Sequence, residues 1–184
     1  MHTARDLDPL ALATAAQASA WVRIATGNLE EACRCYDQAI EAARSLGNIS
    51  VVSTMLGWKV ALLLAQGGCN DQTRQVLTEA AAVTSPYDIT SVALVEACHA
   101  VLAARDGNHA QAAARASKAL AAIDATDEMS SQADIRRWLS EVPRRRGAVP
   151  EQRRLLAEAQ DLYRAKDHLP HLAATEQLLA QVTG

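Results

Sequence analysis

Apolar residues recur along this chain at three- and four-residue steps, and short Gly-, Asn- and Pro-containing stretches interrupt them. That period is the signature of amphipathic helices. It is clearest over 29–46, where Ala32, Tyr36, Ala39, Ile40, Ala43 and Leu46 line one stripe. After a polar stretch over 1–8, the stripes and their interruptions predict helices over 9–26, 29–46 and 49–66, and a fourth reaching Thr84. Ser85-Pro86-Tyr87-Asp88 then reads as a helix start with a capping serine, a proline in the first turn and an acid near the positive helix end. The fifth helix reaches Asp106, and the sixth spans His109–Asp124. A seventh is cut short by Pro143, an eighth runs from Pro150 to Lys166, and a last one from Pro170 to Val182. No segment shows the two-residue alternation of a strand, so the expected fold class is all-α.

The interruptions resemble one another. In Gly27-Asn28-Leu29-Glu30-Glu31, Gly27 is placed to end one helix at positive φ, and Asn28 to cap the next with Glu31 reaching back. Gly107-Asn108 repeats this with Gln111 in the reciprocal place, and Gly68 and Gly147 mark altered copies. Counted on Gly27, Gly68, Gly107 and Gly147, the spacings are 41, 39 and 40 residues. Alanine stands twelve residues after each glycine (Ala39, Ala80, Ala119, Ala159), and a small residue seven before it (Ala20, Ala61, Ala100, Ser140). Small side chains at fixed points suit close helix crossings. With no linker evident, residues 1–184 read as a single domain: an α-α superhelix of about four helix-turn-helix repeats and a C-terminal capping helix.

The order of the first copy, from Ala20 through Gly27-Asn28-Leu29-Glu30-Glu31-Ala32 to Tyr36 and Ala39, resembles a tetratricopeptide (TPR) repeat. The resemblance covers residues 9–166. The period is near 40 residues rather than the roughly 34 usual in that family, and Ala116 stands in the third copy where Tyr36 stands in the first. Longer units of this kind are similar to the helical-repeat regions of large bacterial signalling ATPases and transcriptional activators. The ending Glu158–Lys166, followed by one more helix, resembles the C-terminal end of such regions. The resemblance implies a protein-protein interaction module, regulatory or scaffolding, whose first-of-pair helices line a concave face; the alternative is a fragment of a transcriptional regulator that senses a ligand or peptide. Counting back ten, six and three residues from each glycine puts Gln17, Trp21 and Ile24, Trp58, Leu62 and Ala65, Ala97, Val101 and Ala104, and Arg137, Glu141 and Arg144 on that face. The partner-binding candidates are therefore Trp21, Trp58, Leu62, Val101, Arg137 and Arg144. The alternative is that Trp21 and Trp58 are core residues between helices.

Composition narrows the chemistry. Alanine supplies about a fifth of the chain and Phe is absent, a core suited to closely stacked helices. A net charge of -3 gives no general attraction to nucleic acid or membrane. Seven arginines nonetheless fall within 136–154 against two acids, Glu141 and Glu151. They either meet an acidic partner or pair within the chain, with Asp124, Asp127, Glu128 and Asp134 in reach. No phosphate-binding loop, nucleophile elbow or zinc-protease motif is present, and the four cysteines lack paired metal-ligand spacing. Glu96 and His99 lie one helical turn apart without the second pair that a di-iron bundle needs. His168 and His171, flanking Pro170, read as a solvated connection. No cofactor or metal is implied, and a small α-helical enzyme is the alternative of a different class. The expected partner is a protein or peptide with an acidic portion, in a cytoplasmic setting. Leu10, Leu12, Trp21, Val22 and Ile24 give the first helix an apolar surface suited to another molecule, a second copy of the chain included.

Overall fold

The computed structural model describes the backbone of residues 9–183 and the side chains of 11–182 apart from Ala25; the opening stretch 1–8 and the Leu10 side chain lie outside the described residues. Every regular element among them is α-helical: α1 (Pro9–Ala25), α2 (Leu29–Ser45), α3 (Ile49–Ala65), α4 (Asp71–Val83), α5 (Ile89–Arg105), α6 (His109–Asp124), α7 (Met129–Leu139), α8 (Glu141–Arg145), α9 (Val149–Ala165) and α10 (Leu169–Thr183). Eight of these begin at residues 9, 29, 49, 89, 109, 129, 149 and 169, a helix every 20 residues, and α4 starts two residues late. The all-α helical-repeat class expected from the stripes is what forms. None of the described helices is long and apolar enough to cross a membrane.

One turn, used repeatedly, sets that cadence. Gly27 sits at φ 77°, Gly47 at 65°, Gly67 at 82°, Gly107 at 78° and Gly147 at 74°. Around Gly107, its N–H donates to the Ala104 carbonyl at 3.2 Å, and the Asn108 N–H to the Ala103 carbonyl at 2.8 Å. This crossed pair closes the helix end in a Schellman motif. The next residue then folds back: Asn28, Asn48, Asp88, Asn108, Glu128 and Ala148 share φ between -81° and -87° and ψ between 69° and 81°. Those angles are an inverse γ-turn, and after Gly47, Gly107 and Gly147 its hydrogen bond runs back to the glycine carbonyl at 3.0 Å. Where the residue is Asn or Asp, its side chain also accepts from the backbone N–H three residues on. Asp167, at φ 53°, makes the same turn before α10 without a glycine.

Two expectations shift by small amounts. The left-handed residue of the second hinge is Gly67 rather than Gly68, so the hinge glycines fall at 27, 67, 107 and 147 and the period is a regular 40. Gly68 is required for space instead, because a Cβ there would come within 2.8 Å of the Leu63 carbonyl oxygen. The cap of α5 is Asp88, whose Oδ1 accepts from the Ser91 N–H at 3.1 Å, and not Ser85. Asp88 holds the position that Asn28 and Asn108 hold in their own turns. Pro143 acts as expected. Lacking an N–H for the Leu139 carbonyl, it breaks the seventh helix at Ser140 and is accommodated in the first turn of α8.

The chain divides into two compact units, residues 1–85 and 86–184, at Ser85-Pro86. In the first, α1 packs on α2, α2 on α3 and α3 on α4. In the second, α7 packs against both α5 and α6, α9 against α7 and α8, and α10 against α9. The small-residue columns fall where helices meet. Ala39, Ala80, Ala119 and Ala159 are 0% exposed, and Ala20, Ala61, Ala100 and Ser140 are also buried. Alanine at a crossing loses no side-chain entropy and lets two backbones approach closely.

Candidate functional site

The six candidate residues separate on burial. Trp21 stands 54% exposed on α1, beside Val22 at 62%, so it is a surface residue and not a core one. Trp58 on α3 is half-buried. Leu62 and Val101 are 5% and 4% exposed; both are core side chains of their units and offer no surface. Arg137 is half-buried, with Nη2 3.6 Å from Asp134 Oδ1, and Arg144 is exposed, with Nη2 3.6 Å from Glu141 Oε1. The tryptophans belong to the first unit and the arginines to the second.

The arginine-rich segment is largely paired within the chain. Arg136 is the centre of one network: it donates to Asp124 Oδ1 at 2.5 Å from α6, to Glu158 Oε2 at 3.1 Å from α9, and to the Gln132 carbonyl at 3.2 Å. Glu141 is the centre of another, receiving both ends of the Arg105 fork at 2.8 Å and Arg145 Nε at 3.0 Å. Burial would push the Glu141 carboxyl up, but the hydrogen bonds and charges of Arg105 and Arg145 outweigh it and hold its pKa below the ordinary value. Arg146 pairs with Glu151, and Arg154 with Glu158. Most of these acids come from other helices, or lie a turn away on the same one.

A third group of charges was not visible as a group in the sequence. Asp134 on α7 is 8% exposed, and the fully buried Tyr163 on α9 donates its hydroxyl proton to Asp134 Oδ1 at 2.5 Å. His171 Nδ1 lies 3.8 Å from the same oxygen. His168 and His171 stack with ring centroids 4.2 Å apart and planes at 14°, and both rings tilt against Tyr163 at 5.8 and 5.3 Å. The solvated connection expected at these histidines is therefore corrected. Packing of α10 on α9 folds both rings inward, and Nδ1 of each is buried without a hydrogen-bond partner, as is Arg137 Nε. Burial drives the His171 pKa down to about 4, Asp134 opposes this, and Arg137 and His168 reinforce it. Burial and the Asp134 charge push the Tyr163 hydroxyl well above its ordinary value. A stacked imidazole pair beside a pinned phenol is a packing network that ties α7, α9 and α10 together. The legible hint was the close spacing of His168 and His171 on either side of Pro170, at the start of the last helix.

The remaining reactive groups are committed or muted. Glu96 receives Arg115 Nη1 on both oxygens at 2.9 Å, and His99 beside it is lowered by burial and by Arg115. All four cysteines are free thiols; burial pushes Cys98 up to about 12 and raises Cys33, the opposite of an activated nucleophile. Among the described residues no three His, Cys, Asp or Glu side chains are placed to share a metal ion. Compared with known protein families and with curated proteins, the chain matches none.

Proposed function

We propose that this chain is a non-catalytic protein-interaction module of the tetratricopeptide-like kind, regulatory or scaffolding, that takes a peptide or protein partner through the exposed face of its first-of-pair helices. The observation that carries the reading is Trp21: a large aromatic side chain, 54% exposed beside Val22, on a helix held in a regular repeat. Aromatic side chains presented on rigid elements are the usual anchors of protein interfaces. The half-buried Trp58, on the first helix of the next pair, extends the apolar character of that unit. The resemblance to repeats of bacterial signalling ATPases and activators supports a regulatory role in the cytoplasm. The paired arginines shift the weight of recognition from charge to apolar anchoring. Arg144, exposed and 3.6 Å from its carboxylate, offers a cation on the second unit.

Selection of displayed peptides on the immobilised protein, followed by titration of the selected sequences, tests this. Trp21→Ala should weaken the selected peptide by about 30-fold, roughly 2 kcal/mol, with little loss of fold stability because the side chain is exposed. Selected peptides that bind wild type, Trp21→Ala and Trp58→Ala equally well would refute the assignment. The same α1 surface can accept a second copy of the chain, in which case Trp21→Ala abolishes concentration-dependent association in sedimentation.

A further inference from the structure

The buried polar cluster of the second unit lies at the seam of α10, and partner recognition makes no use of it. α10 packs on α9. In this seam Leu172 lies against Ala133, Ala159 and Tyr163, Thr175 is buried, and His168 and His171 stack over Tyr163. On the outer side Glu176 receives Gln160 at 3.2 Å and lies 3.8 Å from Arg164.

The charges facing His171 are few and already engaged. From α7 come Asp134, whose Oδ1 holds the Tyr163 proton, and Arg137, a cation. From α9 come the Tyr163 hydroxyl, bonded to Asp134, and Arg164 at the outer edge, from the hinge before α10 His168, and from α10 itself Glu176. At 3.8 Å, Asp134 is too far to accept a hydrogen bond from His171 Nδ1. The charge of a proton placed on His171 would thus sit in a largely buried position, facing a carboxylate that already holds the Tyr163 proton, stacked on a second imidazole and near a guanidinium. In water, on an undocked α10, the same proton is held at ordinary affinity.

We propose that this cluster is an acid-sensitive latch: two stacked imidazoles hold α10 on α9, and protonation of His171 releases the helix and uncovers the face of α9 that carries Ala159, Leu162 and Tyr163. The direction follows from linkage. With the docked imidazole held down near 4 and the free one near its usual value of about 6.5, docking is at full strength above the higher value and is lost as pH falls toward the lower. Between pH 7 and pH 5 the docking equilibrium should weaken about 20-fold.

Hydrogen exchange of the full chain, corrected for the intrinsic pH dependence of exchange, reads this directly. Protection over 169–182 should fall about 20-fold from pH 7 to pH 5, while protection over 89–105 holds. His171→Gln, neutral at every pH, should keep α10 protected at pH 5. Unchanged α10 protection at the two pH values overturns the latch, and so does an equal loss in both segments, which would mean general acid unfolding. If His171→Gln fails to dock even at pH 7, the wild-type His171 ring decides by its NMR titration. A ring still neutral at pH 5 supports the latch, and a midpoint near its ordinary value sinks it.

Discussion

Gly107 and Gly68 both resist replacement by alanine, for different reasons. Gly107 has φ 78° and nothing within 4 Å of where a Cβ would stand, so any cost there is backbone strain alone. Gly68 has an ordinary backbone, but its Cβ would meet the Leu63 carbonyl oxygen at 2.8 Å and Thr73 Oγ1 at 3.1 Å. Gly107→Ala should therefore destabilise by about 1 kcal/mol, read as a lower urea midpoint with an unchanged slope. Asn at that position should cost less, since its short polar side chain tolerates the left-handed region. Asp167 shows that this turn accepts a residue other than glycine when the side chain is of that kind.

At the scale of the helix, the chain repeats one hinge and varies how well it is capped. The caps of α2, α3, α5 and α6 are Asn or Asp, each accepting a backbone hydrogen bond. Ahead of α9 the same backbone angles are held by Ala148, with no side-chain cap. Since Ala148 (φ -82°, ψ 69°) nearly matches Asn108 (φ -84°, ψ 72°), an asparagine would fit without rearrangement. Ala148→Asn should raise stability by about 0.5 to 1 kcal/mol, measured by the same denaturation. No gain would mean that Pro150 and Glu151 already meet the needs of that first turn.

Each of the two units of the whole molecule has its own core. Tyr36, Ala39, Val60, Leu77 and Ala80 are fully buried in residues 1–85, and Leu94, Ile123, Ile135, Leu139, Leu156 and Tyr163 in residues 86–184. The second unit also contains both partners of its internal ion pairs, Arg105 with Glu141, Arg115 with Glu96, and Arg136 with Asp124 and Glu158. A fragment of residues 86–184 expressed alone should consequently give a helical circular-dichroism spectrum and a cooperative thermal transition. A fragment that stays unfolded would show that its core depends on the first unit.

The helices, their ends and the repeat were legible in the sequence because each is decided by interactions a few residues long. A 3.6-residue stripe, a glycine at positive φ, an asparagine cap and a proline break all act within one or two turns. Even there, which of Gly67 and Gly68 takes the positive φ was read only from the structure. What the tertiary structure decided is which distant side chains share a site. Leu62 and Val101 satisfy the same spacing rule as Trp21, yet packing buries the first two and leaves the third in solvent. The partners of the arginines, and the meeting of Asp134 with Tyr163 and His171 across 29 and 37 positions, depend on which helix lies against which. In a chain so rich in alanine most helix faces are similarly apolar, and periodicity alone does not choose among them.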